Sequence, residues 1–332
     1  MKSKIRIYGG VSLAMIFWAF SFIWFKIANE TFRPITIVFL RLFFSIFLLS
    51  TYLGIKKKFE KIRKEDRKLF LMLALFEPFF YFLGESFGLT YVSATVGSVL
   101  ISTIPFIATI HAPIVPITGI VGSVLISTIP VIATIGAWIV FKERLKVINY
   151  TGIIVSFTGI IIFVMNREGS LTFNIKGLSL LMLAVFSASG YNLTLSRLVG
   201  RYNPVFIVNL QNIIGAILFL PVFLIYDFSY FISTPFSISA LKPVIELAVF
   251  ASCGAFILFA YSVRNMGITR ANVFTYFIPI FTAIFSFFIL GDKLTVQNIV
   301  GMAVVISGLI MSQINGRPKK IDEALILTGK TA

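Results

Sequence analysis

Apolar residues run through this chain in windows of about 20, the length that carries a helix across bilayer hydrocarbon, and short polar or Pro/Gly stretches separate them. In order, the windows predict helices near 7–27, 34–54, 69–89, a long stretch 93–141, then 147–165, 175–196, 204–226, 243–263, 271–290 and 296–314. With the long stretch counted as one net crossing, ten crossings result and both termini fall on the same side. The first window follows basic residues, as a secretory signal would. It runs on through Phe25, Lys26 and Ile27 without a small-x-small cleavage site and is expected to stay as the first helix.

Composition agrees with this pattern. Hydrophobic residues make up 58% of the 332 positions and charged residues 13%, far from the mix of a soluble domain. The single Cys253 excludes a disulfide framework. The formal net charge of +16 raises the question of nucleic acid, and its placement answers it. The segments 1–6, 55–68, 142–146, 197–201, 264–270 and 317–332 hold 22 of the 29 basic residues. They alternate along the ten predicted crossings, as cytoplasmic loops do. The expected location is therefore an inner or plasma membrane, multi-pass, with both termini cytoplasmic. The basic loop 56–68 has only Phe59 as an interleaved aromatic, so anionic lipid at the cytoplasmic face accounts for it better than nucleic acid.

Two internal repeats shape the expected organisation. Pro130, Glu143, Arg144, Leu145, Asn149, Gly152, Gly159 and Asn166 recur 149 residues later as Pro279, Asp292, Lys293, Leu294, Asn298, Gly301, Gly308 and Asn315. The charge pattern puts the first of these turns inside and the second outside, so the halves have opposite orientation, as in transporters built from inverted repeats. The second repeat is local: residues 96–110 and 121–135 differ only at Phe106 and Val131. If both copies crossed the membrane, every later loop would change sides against the charge bias. The true crossing is therefore expected at 121–141, with the first copy as an extra apolar re-entrant or surface hairpin on the outer side. The predicted fold class is an all-α membrane protein with ten transmembrane helices in two inverted five-helix repeats, residues 5–166 and 167–315, followed by a cytoplasmic tail, 316–332.

These features carry a resemblance. The run Gly-Leu-Thr-Tyr-Val-Ser-Ala-Thr at 88–95, the turn Phe-Lys-Glu-Arg-Leu at 141–145, its echo Leu-Gly-Asp-Lys-Leu at 290–294 and the Gly-x6-Gly spacing after both turns resemble the EamA-type branch of the drug/metabolite transporter superfamily. The resemblance covers residues 5–315. It implies a gradient-driven exporter or permease of amino acids, other metabolites or drugs, with no bound cofactor, and it is silent on the substrate. The 25-residue duplication departs from the family pattern at the fourth helix.

Ionisable residues near mid-membrane are costly and therefore functional candidates. Glu77, beside Pro78, falls near the centre of the third predicted helix, and Glu85 near its outer end, where solvation is expected to be easier. With Tyr81 they form an i, i+4, i+8 stripe able to face one cavity. Glu77 is read either as a ligand for a cationic substrate group or coupling proton, or as a packing hydrogen-bond partner. Arg41, two turns into the second helix, would pair with one of these acids, bind a carboxylate, or snorkel to the interface. Aligning Pro34 with Pro204 makes Gln211 its counterpart, flanked by Asn209 and Asn212, a cluster that equally suits helix-helix adhesion. Trp18 and Trp24, Tyr191 beside Asn192, and Tyr276 near Asn272 are candidate pocket walls, against the plain alternative of lipid or core packing. Lone His111 has no partners for a metal.

The function that fits is gradient-driven movement of a small molecule by alternating access about a midplane site. An intramembrane enzyme would need a catalytic constellation, and no His-Glu-x-x-His, Ser-His-Asp set or nucleotide-binding Gly loop is present in the sequence; nor is a Walker motif. A non-transporting membrane subunit is the other alternative, and the mid-membrane Glu77 argues against it.

Overall fold

The computed structural model describes residues 2–101, 174–235, 237–292 and 295–313, with isolated positions between 148 and 162. Among these residues all regular structure is helical, and seven helices are long and apolar enough to cross a membrane. They are α1 (Lys2–Asn29), α2 (Pro34–Ile55), α3 (Lys64–Tyr91), α5 (Ile175–Leu198), α6 (Pro204–Tyr226), α7 (Ile238–Met266) and α8 (Arg270–Leu290). Shorter helices accompany them at α4 (Ala94–Ile101), at Phe228–Ser233 and at α9 (Val296–Gln313). The ring of exposed Phe43, Phe47, Ile217, Ile225 and Phe288 suits a hydrocarbon surround and no aqueous one.

Local chemistry sets the helix ends. Pro34 and Pro204 each occupy the first turn, where the missing N–H costs nothing. Asn203 and Asn174 cap with their side chains, Asn203 accepting from Val205 N–H at 2.9 Å and Asn174 from Lys176 N–H at 3.1 Å. α8 closes on Gly291 with φ +71, the left-handed stop that favours glycine. α7 begins five residues before the expected Pro243 because that proline is carried inside its second turn.

Three helices depart from regular α geometry, α8 through a 3-10 turn at Phe274–Phe277 and a closing π segment at Ser286–Leu290, and α3 and α7 near their middles. In α3 the segment Leu75–Phe80 is π-helical, and Glu77 has an extended backbone (φ −147, ψ 118) ahead of Pro78. In α7 the π segment is Leu247–Ala255. Both lie mid-helix, where such irregularity is tolerated in a membrane only if the freed groups face protein or a cavity. The expected unbroken i, i+4, i+8 stripe is thus corrected: Tyr81 and Glu85 keep their one-turn spacing, but Glu77 is offset by the kink.

α2 and α6 lie antiparallel and are joined along their length. Phe39 stacks on Phe223 at 4.6 Å, Ser45 accepts from Asn212 at 3.0 Å, and Ser50 donates to Asn209 at 3.1 Å. α3 meets α5 through glycines: a Cβ on Gly84 would collide with Leu180 O and stand 2.7 Å from Ala184 N. Close backbone approach through small residues is a common way for helices to associate in lipid, where no hydrophobic force acts between them.

The described part of the first duplicated copy, 96–101, lies within α4 and is buried from Gly97 on, and α4 packs against α1, α5 and α8. A surface position is therefore wrong for these residues. The remainder of the duplication, the expected crossing at 121–141, His111 and the 141–145 turn lie outside the described residues.

Candidate functional site

α1, α2, α3, α4, α5, α7 and α8 line a small mid-bundle cavity of about 50 Å³. Its charged lining residues are Arg41, Glu77 and Glu85, all buried among helices, with 2%, 6% and 6% of their surface exposed. Glu85 is therefore no more solvated than Glu77, contrary to expectation, because α5 and α2 cover that part of α3.

Each charge is held differently. Arg41 Nε donates to Ser252 Oγ at 2.9 Å, and its guanidinium lies 4.2 Å from the centre of the Phe82 ring. This fixes the plane of the guanidinium and leaves its terminal N–H groups without a hydrogen-bond partner among the described residues. Glu85 accepts from Tyr81 Oη at 2.9 Å. Glu77 has no hydrogen bond or ion pair among the described residues. The two acids and Arg41 act on one another electrostatically, but neither of these carboxylates comes within 4.0 Å of the guanidinium. In a medium of low dielectric such separated charges interact strongly, and their free edges are what a polar solute would meet.

Aromatic and amide groups complete the walls. Trp18 packs edge-on to Phe256 (5.3 Å) and against Phe259 (5.0 Å), and Tyr191 is T-shaped to Phe256 (5.9 Å). Asn192 Nδ2 donates to Asn272 Oδ1 at 3.3 Å, joining α5 to α8.

Seven of the nine expected site residues, Trp18, Arg41, Glu77, Tyr81, Glu85, Tyr191 and Asn192, line this cavity. Gln211 does not; it is fully buried, with its amide beside the Tyr191 hydroxyl. Tyr276 is also outside, packed with Val99 and Val305 in a small separate cluster. Trp24 stacks between Phe20 and Phe250 and is not part of the cavity lining. Sequence reasoning missed Ser21, Phe82, Thr275 and Ser252. The one available signal concerned the last: the 170-residue offset that aligns Pro34 with Pro204 also aligns Phe82 with Ser252, the two residues that grip Arg41.

Comparison with known proteins gives the same architecture. The EamA-like transporter family matches over residues 6–118 and 175–313, and the chain belongs to that family. An uncharacterized transporter of Archaeoglobus fulgidus is 25% identical over 94% of this chain and 98% of its own length. The uncharacterized transporter YcxC of Bacillus subtilis is 24% identical over 91% of this chain and 92% of its own. A solved crystal structure superposes with a TM-score of 0.63 at 13% identity, covering 93% of this chain and 98% of the other, which speaks for the fold alone.

Proposed function

Starting from membership in the EamA-like transporter family, we propose that the Arg41–Glu77–Glu85 cavity is the substrate site of a secondary-active permease or exporter that works by alternating access. The observation that carries the reading is the convergence of three buried charges from α2 and α3 on one mid-bundle cavity, although each would cost about 2.5–3.5 kcal/mol at a bilayer centre. A structural role would have paired Arg41 directly with an acid; among the described residues Ser252 and Phe82 orient it instead, and its terminal N–H groups stay open.

The chemistry points to a small metabolite or drug-like compound. A cationic nitrogen would meet Glu77, or a proton would take its place as coupling ion. A carboxylate would meet Arg41 in bidentate fashion. Trp18, Tyr191 and Phe256 would hold the apolar part of the solute.

The inverted-repeat organisation, with domains 5–166 and 167–315 and tail 316–332, supplies the motion. Three features support it. α2 and α6, aligned by the 170-residue offset, are antiparallel. The third helix of each half, α3 and α7, carries a π segment near its middle. Arg41 contacts residues 82 and 252, which the same offset relates. Both termini cytoplasmic in an inner or plasma membrane, with anionic lipid at the 56–68 loop, completes the proposal.

The test is flux from proteoliposomes loaded with labelled small amines, carboxylates and zwitterions. Wild-type protein should move at least one of them faster than protein-free liposomes, Glu77→Gln should abolish that flux without loss of folded protein, and Glu85→Gln should reduce it less. A fully active Glu77→Gln protein would remove the site assignment.

A further inference from the structure

Lys26 lies in α1 one turn beyond Phe22, and Leu89 lies in α3 one turn beyond Glu85; Phe22 and Glu85 both line the cavity. The Lys26 ammonium donates to Leu89 O and to Val92 O, the latter at 2.6 Å. These are carbonyls at the C-terminal end of α3, the end that no intrahelical N–H satisfies and that carries negative partial charge. Asp292, in the turn after α8, is the carboxylate acting on this ammonium, and it is held in place by Ser286 Oγ. One cation thus ties α1 to the end of α3 at one end of the cavity, in the field of the carboxylate in the turn after α8. The stack of Trp24, Phe20 and Phe285, with Phe20 and Phe285 centred 3.9 Å apart, lies under it between α1 and α8.

The opposite end differs. The 170-residue offset places Lys26 against Ser196, next to Arg197 at the C-terminal end of α5. Both are exposed, and Arg197 makes no hydrogen bond or ion pair among the described residues. At that end the cation that joins two helices is Arg201, paired with Asp66 at the start of α3; at the Asp292 end it is Lys26, held by helix-end carbonyls one turn from the cavity lining.

We infer that Lys26 is a latch that holds the cavity shut on the face carrying the Gly291–Asp292 turn, and that its release from the Leu89 and Val92 carbonyls opens that face. The inference rests on the alternating-access reading above. An ammonium bound to carbonyl dipoles suits a latch, because water at the membrane interface replaces those bonds at modest cost once the helices part.

The test places a single cysteine in the cavity, Ser21→Cys in a Cys253→Ser background, and measures its labelling rate by the membrane-impermeant trimethylammonium-ethyl methanethiosulfonate in sealed vesicles of either orientation. With Lys26→Met, labelling from the Asp292 face should rise at least about tenfold, the effect of losing one charge-assisted hydrogen bond. Lys26→Arg should stay within about threefold of the parent, since it keeps the charge and the donors. If Lys26→Met is not recovered as monodisperse protein, Lys26→Gln carries the comparison with the same expected direction. An unchanged rate from the Asp292 face in a folded neutral variant, with labelling from the other face intact, overturns the latch and leaves the cavity reading standing. A Ser21→Cys thiol that labels from neither face in any variant overturns both.

Discussion

Asp227, just past the end of α6, caps the start of α2: its Oδ2 accepts from Thr36 N–H at 3.0 Å and from Thr36 Oγ1 at 3.1 Å. At the other end of the same helix pair, Glu60 Oε1, just past α2, accepts from Asn203 N–H at the start of α6 at 3.0 Å. A carboxylate at a helix N-terminus satisfies orphan donors and complements the dipole. The arrangement repeats in inverted sense, each helix capped by the segment that follows the other. Replacing Asp227 by Ala should lower stability by about 2 kcal/mol, the range for a hydrogen-bonded buried charge, read as a lower melting temperature of purified protein; Asp227→Asn should recover part of it. No change with either substitution would contradict the cap.

Asp66 plays a related part at the basic loop. It is fully buried, accepting from Tyr202 Oη at 2.8 Å and pairing with Arg201, while Tyr202 Oη accepts from Arg63 N–H at 3.1 Å. Asp66→Ala should cost about 2 kcal/mol, toward the low end for a broken buried pair because a third of Arg201 is exposed. Arg63→Ala should cost little, since the contact is made by its backbone. Thermal unfolding in detergent distinguishes the two.

The α3–α5 contact is set by backbone approach. Gly84→Ala should force the helices apart, because the new methyl group meets Leu180 O and Ala184 N, neither of which can rotate away. A loss of about 1–3 kcal/mol is expected for such overpacking. Gly54→Ala, whose Cβ would meet nothing within 4 Å, is the matched control and should be neutral or slightly stabilising.

The topology is tested by single cysteines at 60, 111, 142 and 292 in a Cys253→Ser background. Positions 60 and 142 should be protected from an external impermeant reagent, and 111 and 292 labelled. External labelling at 142 would put both copies of the duplication across the membrane and reverse the second half.

Much of the bundle was legible in the sequence, and the reasons are local. Pro34 and Pro204 announced the starts of α2 and α6, and the basic loops punctuated the spans. The start of α7 was hidden because Ser237 and Ser239 flank Ile238 in its first turn and Pro243 read as a beginning. Periodicity placed Tyr81 and Glu85 on one face but carried Glu77 with them, since a π segment leaves no mark on apolar spacing. Arg41 and the two acids stood out by their burial cost. Their partners did not: Ser252 is 211 residues from Arg41 and Asn272 is 80 from Asn192, pairings made by helix packing that an isolated polar residue in an apolar window does not announce. Tyr276 and Gln211 were placed by residue type, and packing sent them elsewhere.

The central claim, that Arg41 and Glu77 present the binding groups of the cavity, is tested most directly by ligand-induced thermal stabilisation of the purified protein across a panel of small amines, carboxylates and zwitterions. At least one compound should raise the melting temperature of the wild-type protein, by an amount that grows with its concentration, and should leave both Arg41→Met and Glu77→Gln unmoved. A compound that stabilises all three proteins equally, or a panel in which none stabilises the wild type, would contradict it.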